Sequence, residues 1–360
     1  MESMIFEEKF ALNTEQFFPG KRPVFFDIET TGLRWNTTHL YLVGLLYREA
    51  DGSCLLRQYF LSHPAKEEAL LREVSEGLAR AVSLGADLLV SYNGDTFDLP
   101  YLRRKYGFYQ LENPFDALES ADIFRRIRPY RRLLCCEQLR QTDLEARLLL
   151  SRTDCCRGGD LISVYEDYLA SGDGDLLDQL LLHNRDDITM LPEIAAALAL
   201  PAFFEGGFAV EKIRESGDKL DVYLRPKFPF PKALSLALSA GPYRLEAGPE
   251  GAVLCVKLYT GERKLFFKNY RDYYYLPGED EAIHKSVAVY ADPSRREKAS
   301  ARTCYRRCES VFLPQPAEIF MPSFSEDYAT LPLYARLDDA KKAEMPVWER
   351  YLRLVLKQFL

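Results

Sequence analysis

Between Lys21 and Thr30 the chain reads KRPVFFDIET, an apolar, aromatic and β-branched run entered through Pro23 and closed by two carboxylates two residues apart. The stretch up to Asp27 has the composition of a strand. Residues two apart on a strand share a face, so Asp27 and Glu29 stand side by side while Ile28 turns the other way, into the core. Adjacent carboxylates repel one another unless something positive lies between them, and a divalent cation with oxygen ligands, Mg2+ or Mn2+, is the natural partner. A bare D-x-E is also compatible with a solvated strand end.

The surrounding text sets this strand in a mixed sheet. Leu40 to Tyr47 and Ser53 to Leu61 read as two strands joined by a turn at Asp51–Gly52, a hairpin. Ala65 to Val82 carries Leu70, Leu71, Val74 and Leu78 at helical spacing. Asp87 to Tyr92 reads as a buried strand, Phe97 to Tyr106 as a helix, and 133–150, 160–171 and 174–200 as further helices. Strands followed by alternating helices and strands imply a mixed α/β sheet. From about Gly206 the pattern changes. KLDVYLRP, AVLCVKLYT, KLFFKNYRDYYYL and SVAVYAD are short strand signals between turn residues, and Pro346 to Phe359 closes the chain as a helix. With Pro201 and Gly206–Gly207 marking the change, the expected organisation is an arm over 1–20, an α/β domain over 21–204 and a smaller β-rich accessory domain over 205–360.

Composition supports two cores: 360 residues, 47% of them hydrophobic and 13% aromatic, exclude disorder as the main state. No uninterrupted apolar run reaches membrane-spanning length, and the N-terminus, MESMIFEEKFALN, has acids where a signal peptide has a basic start. The expected location is the cytoplasm, with no membrane partner. The net charge of −7 conceals an asymmetry. Residues 1–204 hold 22 Lys and Arg against 32 Asp and Glu, whereas 205–360 hold 25 against 22. An acidic half beside a mildly basic one is compatible with metal-dependent work on phosphates. The eight cysteines include the vicinal pairs Cys135–Cys136 and Cys155–Cys156 and no CxxC, which reads as free thiols.

Two more segments carry acids. In Tyr92-Asn93-Gly94-Asp95-Thr96-Phe97-Asp98-Leu99-Pro100-Tyr101 an apolar strand ends in a turn and Asp98 falls near a helix start, where an Asp is also an ordinary N-cap. In His183-Asn184-Arg185-Asp186-Asp187-Ile188, inside the helix over 174–200, His183 and Asp187 are four apart and share a face. That pair could hold a metal and a base, or be a surface polar pair. Asp186 is a rival to Asp187 for this role, but it would lie about 100° round the helix from it.

Taken together, the three segments resemble the motifs of the DEDD exonucleases of the ribonuclease H-like superfamily. D-I-E-T-T-G-L matches the first, N-G-x-x-F-D-x-P-Y-L the second and H-N-R-D-D-I-x-x-L the third. The nearest resemblance is to the YprB-type ribonuclease H-like domain, over about residues 20–200. It implies a ribonuclease H-like mixed sheet flanked by helices and a metal-dependent 3′–5′ exonuclease acting on the 3′ end of single-stranded DNA or RNA. It further implies two divalent ions, Mg2+ or Mn2+, one at the attacking oxygen and one at the leaving oxygen. By the same resemblance Asp27 bridges the ions, Glu29 and Asp187 hold the one that activates water, and Asp98 anchors the second. His183 orients or deprotonates the water, a task suited to an imidazole near neutral pH. Asp122 takes a supporting part. Thr30, Thr31 and Leu33 meet the terminal sugar and base, and Asn93, Phe97 and Tyr101 line the nucleotide pocket, although the two aromatics also read as core. One departure stands out: three residues separate His183 from Asp187, the spacing of the subclass that uses Tyr, where His-type enzymes have four.

The C-terminal half offers two features. Arg295, Arg296, Lys298, Arg302, Arg306 and Arg307 would give a helix a basic stripe able to track phosphates, or a solvated face. Tyr270, Tyr273, Tyr274 and Tyr275 would stack bases or build a sheet core. Two alternative functions accompany the exonuclease: a non-catalytic nucleic-acid-binding module, and an endonuclease on structured RNA or hybrids.

Overall fold

The computed structural model describes residues 4–154 and 159–360, so Cys155–Cys156 lies outside the described residues. The chain divides into two compact units, residues 1–201 with 231–234, and 202–230 with 235–360.

The first unit is built on six strands: β1 (Met4–Phe10), β2 (Pro23–Thr30), β3 (Leu40–Arg48), β4 (Cys54–Phe60), β5 (Leu88–Ser91) and β6 (Glu119–Asp122). Their order in the sheet is β1-β4-β3-β2-β5-β6. The neighbours from β1 to β2 are antiparallel, and β2, β5 and β6 are mutually parallel. The helices are α1 (Glu67–Ser83), α2 (Asp98–Phe108), α3 (Ile123–Ile127), α4 (Arg131–Leu134), α5 (Gln141–Arg147), α6 (Leu161–Ser171), α7 (Gly174–Ile194) and α8 (Ala199–Phe204). β3 is apolar and buried on both faces apart from its last residue, as a strand sandwiched between helices must be. Successive residues on β4 show which helix covers which face. The Gln58 amide donates to Leu181 of α7, whereas Tyr59 points at Gly77 of α1. A Cβ on Gly77 would fall 1.6 Å from the Tyr59 hydroxyl oxygen, so α1 lies this close only because that position is glycine.

Three expectations need correction here, and one strand joins those the sequence predicts. The arm over 1–20 contains β1, which pairs with β4 along its whole length and extends the sheet. β1 is a half-exposed edge with little apolar alternation, which is why its signal is weak. Glu119–Asp122 is a strand too short to register by periodicity. The helix expected over 133–150 is broken into α4 and α5 because Cys135 and Leu139 take left-handed φ values of 55° and 56°. Finally, by length and composition the helical run Gly174–Phe204 could cross a bilayer, which a search for an uninterrupted apolar run overlooks. Since 67% of its most apolar window is buried inside the protein, it has the burial of a core helix.

The second unit is β-rich. β7 (Phe208–Ser216), β8 (Lys219–Pro226), β9 (Leu236–Ala240), β10 (Tyr243–Gly248) and β11 (Gly251–Lys257) form one sheet, in the order β7-β8-β11-β10-β9. β12 (Tyr259–Phe266), β13 (Tyr273–Leu276), β14 (Glu281–His284), β15 (Glu297–Lys298), β16 (Tyr305–Gln315), β17 (Ser323–Phe324) and β18 (Leu333–Arg336) form two smaller ones. Alternate residues of β8, β10 and β11 are buried, the period-two pattern of a half-covered sheet. The closing helix runs over Met345–Leu356 and buries Trp348, Tyr351, Leu352, Val355 and Leu356.

SVAVYAD is not a strand: it begins in a short helix over Lys285–Ala288. Nor do the six basic residues form a helical stripe. Lys298 lies on β15, Arg306 and Arg307 are adjacent on β16 and so face opposite ways, and Arg295 and Arg307 are engaged by Glu279 and Glu262. Tyr270, Tyr273 and Tyr275 pack against the small core of Ala282, Ala299 and Cys304, and Tyr273 stacks on Phe267 at 4.8 Å.

Candidate metal centre

Asp27, Ile28 and Glu29 of β2 all line one cavity of about 540 Å³, and of the three only Ile28 also belongs to the buried hydrophobic core. β2 lies where the sheet changes from antiparallel (β3) to parallel (β5), and the carboxyl ends of parallel strands at such a switch are where α/β sheets place their ligands. Asn93 follows β5 on the same edge and Asp122 ends β6.

α7 brings the remaining side chains. It approaches the sheet at Gly44, which faces Asp27 across the β2–β3 ladder. A Cβ there would lie 2.0 Å from Ile188 Cδ1 and 2.5 Å from Asn184 Oδ1. Across this contact the fully buried Asn184 donates through Nδ2 to Asp27 Oδ2 at 3.0 Å and accepts from Gln58 Nε2 at 3.0 Å. One oxygen of Asp27 is thus anchored by a chain of amides. One turn of α7 then joins His183 to Asp187, with Nε2 to Oδ2 at 3.2 Å, and the same nitrogen lies 3.5 Å from Glu29 Oε1. The other oxygen of Asp187 accepts from the guanidinium of Arg152, which also lies 3.7 Å from Glu145.

Asp98 opens α2, 7% exposed, in the same cavity. The turn before it is held by Asp122, whose carboxylate accepts from the amides of Asn93 (2.9 Å) and Asp95 (3.3 Å) and caps α3 at Arg125. Asn93 takes a left-handed φ of 65°, tolerable for Asn. A side chain at Gly94 would meet Ser91 Oγ at 2.3 Å. Asp122 therefore shapes the turn that presents Asp98.

This crowding has an electrostatic cost. Burial, then the charges of Glu29, Asp98 and Asp187, raise Asp27 well above the usual carboxylate range. Burial first, and then Asp187 and Asp98, push Glu29 up to about 8 against the favourable charge of His183. Asp98 rises to about 7 through burial, opposed by amide hydrogen bonds. Burial alone would lower His183, but Asp187, Glu29 and Asp154 together overcome it and raise the imidazole to about 9. The same repulsion that raises these acids would be relieved by a cation among them. Glu29, His183 and Asp187 each offer one ligand atom, all within 4.8 Å of one another, a donor set that fits a divalent ion.

The expected substrate residues separate. Asn93 and Phe97 line the cavity; Thr30, Thr31, Leu33 and Tyr101 are not among its lining residues. Tyr101 is 3% exposed, part of the core, and its hydroxyl meets Thr38 Oγ1 at 2.9 Å. The Thr31 amide donates to His39 O, and Leu33 is 83% exposed. Asp186 faces away from the cavity: its Oδ2 accepts from the amides of Thr153 (2.6 Å) and Asp154 (2.8 Å). That loop supplies two side chains the sequence reading missed, Arg152 and Asp154, the latter with Oδ2 at 2.6 Å from His183 Nδ1. Nothing periodic marks the loop. Asn184, also missed, had a signal in its place beside His183.

Residues 24–199 match the family model described as the RNase_H superfamily, and the fold of this region is ribonuclease H-like. Among solved structures, the chain is similar to the family B DNA polymerase from the hyperthermophilic archaeon Pyrobaculum calidifontis, at 12% identity and a TM-score of 0.39. The similarity covers 94% of this chain and 46% of that one, so the chain spans less than half the polymerase's length. No curated protein matches.

Proposed function

We propose that residues 21–204 are a metal-dependent 3′–5′ exonuclease domain of DEDD, YprB-like type, hydrolysing single-stranded DNA or RNA. The observation that carries this reading is the convergence of Asp27, Glu29, Asp98, His183 and Asp187, from one strand and two helices, on one cavity. Bound Mg2+ or Mn2+ would supply the positive charge that activates water and relieves the leaving oxygen. The protein's own part is orientation. Asn184 and Gln58 hold one oxygen of Asp27, and Arg152 holds one oxygen of Asp187, so each carboxylate offers its other oxygen to the ion. Asp122 fixes the turn that aims Asp98, and Asn93 and Phe97 stand where the terminal nucleotide would enter. The second unit, residues 205–360 in this reading, guides the strand.

The test is digestion of 5′-labelled single-stranded DNA and RNA with Mn2+, Mg2+ or chelator, using wild type and Asp27→Ala. The expected result is a metal-dependent ladder that shortens from the 3′ end and vanishes in the variant. Cleavage of circular substrates would replace the exonuclease with an endonuclease. Binding without any cleavage would leave a nucleic-acid-binding module.

A further inference from the structure

We propose that His183 is itself a ligand of the metal centre, fixed in that role by Asp154, and that this nitrogen donor makes the site select Mn2+ over Mg2+. The inference rests on the metal-dependent reading above and adds to it an identity for the ligand set.

The geometry at the imidazole is two-sided. Nδ1 lies 2.6 Å from Oδ2 of Asp154, a carboxylate only 5% exposed. A carboxylate there accepts the Nδ1–H and leaves the lone pair of the neutral ring on Nε2. Nε2 in turn lies 3.2 Å from Asp187 Oδ2 and 3.5 Å from Glu29 Oε1. Once the proton on Nε2 is displaced, three electron-pair donors, one nitrogen and two oxygens, converge from β2 and α7. A divalent cation that displaces it would engage all three at once. An imidazole backed by a buried carboxylate is the usual arrangement of a metal-bound histidine, since the second partner sets the tautomer and the ring orientation.

The support behind Asp154 is built into the fold. Its amide and that of Thr153 are fixed by the buried carboxylate of Asp186, one residue before Asp187 on α7. The helix that carries His183 and Asp187 thus also anchors the loop that orients His183. Arg152 on that loop takes Asp187 Oδ1, so Oδ2 is the oxygen turned to the convergence point. Mg2+ demands a near-ideal oxygen shell and gives up its waters reluctantly, whereas Mn2+, though it also suits carboxylates, is a first-row ion that accepts a nitrogen donor in a mixed set, so one imidazole tips the site toward Mn2+. His183 is then a ligand, and Asp154 a positioning residue acting through it.

The experiment is Mn2+ and Mg2+ binding to the full chain by calorimetry, with pulsed electron paramagnetic resonance on the Mn2+ form, for wild type, His183→Gln and Asp154→Asn. Wild type is expected to show nitrogen hyperfine coupling that changes on 15N-histidine labelling and is absent in His183→Gln. Asp154→Asn is expected to weaken Mn2+ about 10- to 100-fold, the usual effect of losing such a partner, with far less change for Mg2+. Bound Mn2+ without nitrogen coupling would overturn the inference and leave the nuclease reading standing. Equal losses for both ions in Asp154→Asn would overturn the selectivity. Failure of wild type to bind either ion would defeat both readings. If Asp154→Asn does not fold, the isotope measurement on wild type still decides.

Discussion

Glu29→Gln should stabilise the metal-free protein at alkaline pH while removing activity. In the folded chain the Glu29 carboxyl is raised from 4.5 to about 8, chiefly by burial and then by Asp187 and Asp98. The folded state therefore holds this proton more tightly than the unfolded one. Its contribution to stability is complete below about pH 4.5 and is lost as pH rises through about 8. At about 1.4 kcal/mol per pKa unit, a shift of roughly three units corresponds to about 4 kcal/mol by pH 8. Glutamine is nearly isosteric and cannot ionise, so it escapes that loss. Because the neighbouring acids share the strain, removing one charge relieves about half, ~2 kcal/mol. For a unit of this size that is roughly 4–8 °C in melting temperature. The assay is a thermal melt in chelator at pH 5 and pH 8, with the gap between variant and wild type opening at pH 8. Saturating Mn2+ should reverse the order, because bound ion at about 100 times its Kd adds about 2.7 kcal/mol to wild type and less to a variant missing a ligand. A variant that melts at or below wild type at pH 8 in chelator would refute the electrostatic account of the site.

Three further outcomes follow from the same contacts. Gly44→Ala places a methyl 2.0 Å from Ile188 Cδ1 and 2.5 Å from Asn184 Oδ1, so it should cost about 1–3 kcal/mol in urea denaturation and reduce turnover as α7 backs away from Asp27. Lys105→Met removes the buried cation beside Glu67, whose carboxylate keeps hydrogen bonds from the Leu40 amide at 2.6 Å and the Tyr109 hydroxyl at 2.9 Å. It should cost about 3–5 kcal/mol, with Lys105→Met/Glu67→Gln recovering part of that in a double-mutant cycle. Metal binding at pH 7 should release protons, because Glu29 and His183 stand at about 8 and about 9 before the ion arrives. Titration calorimetry in buffers of different ionisation enthalpy reads this directly, and a buffer-independent enthalpy would contradict it.

What the sequence makes legible is whatever a local period encodes. Two-residue alternation puts Asp27 and Glu29 on one face and Ile28 on the other, and four-residue spacing puts His183 over Asp187; the structure has both. What it hides depends on contacts between segments far apart in the chain. The partner of the Asp27 oxygen lies 157 residues away and that of His183 Nδ1 29 away, on a loop with no periodicity. The same division explains the helix expected over 133–150. Its apolar spacing is adequate, but left-handed turns at Cys135 and Leu139 are invisible to composition when the residue is not glycine. It also explains why Asp186 could look like a rival to Asp187. Adjacent acids on a helix differ only in direction, and that direction has meaning only once the loop at Thr153–Asp154 is in place to receive one of them. Asp186 spends its charge on two backbone amides, Arg185 and the loop they fix; Asp187 keeps one oxygen for the cavity. In the proposed centre the chemistry would therefore turn on a division of labour between neighbouring carboxylates. Exchanging their surroundings, rather than removing either, is what would convert a ligand into a brace.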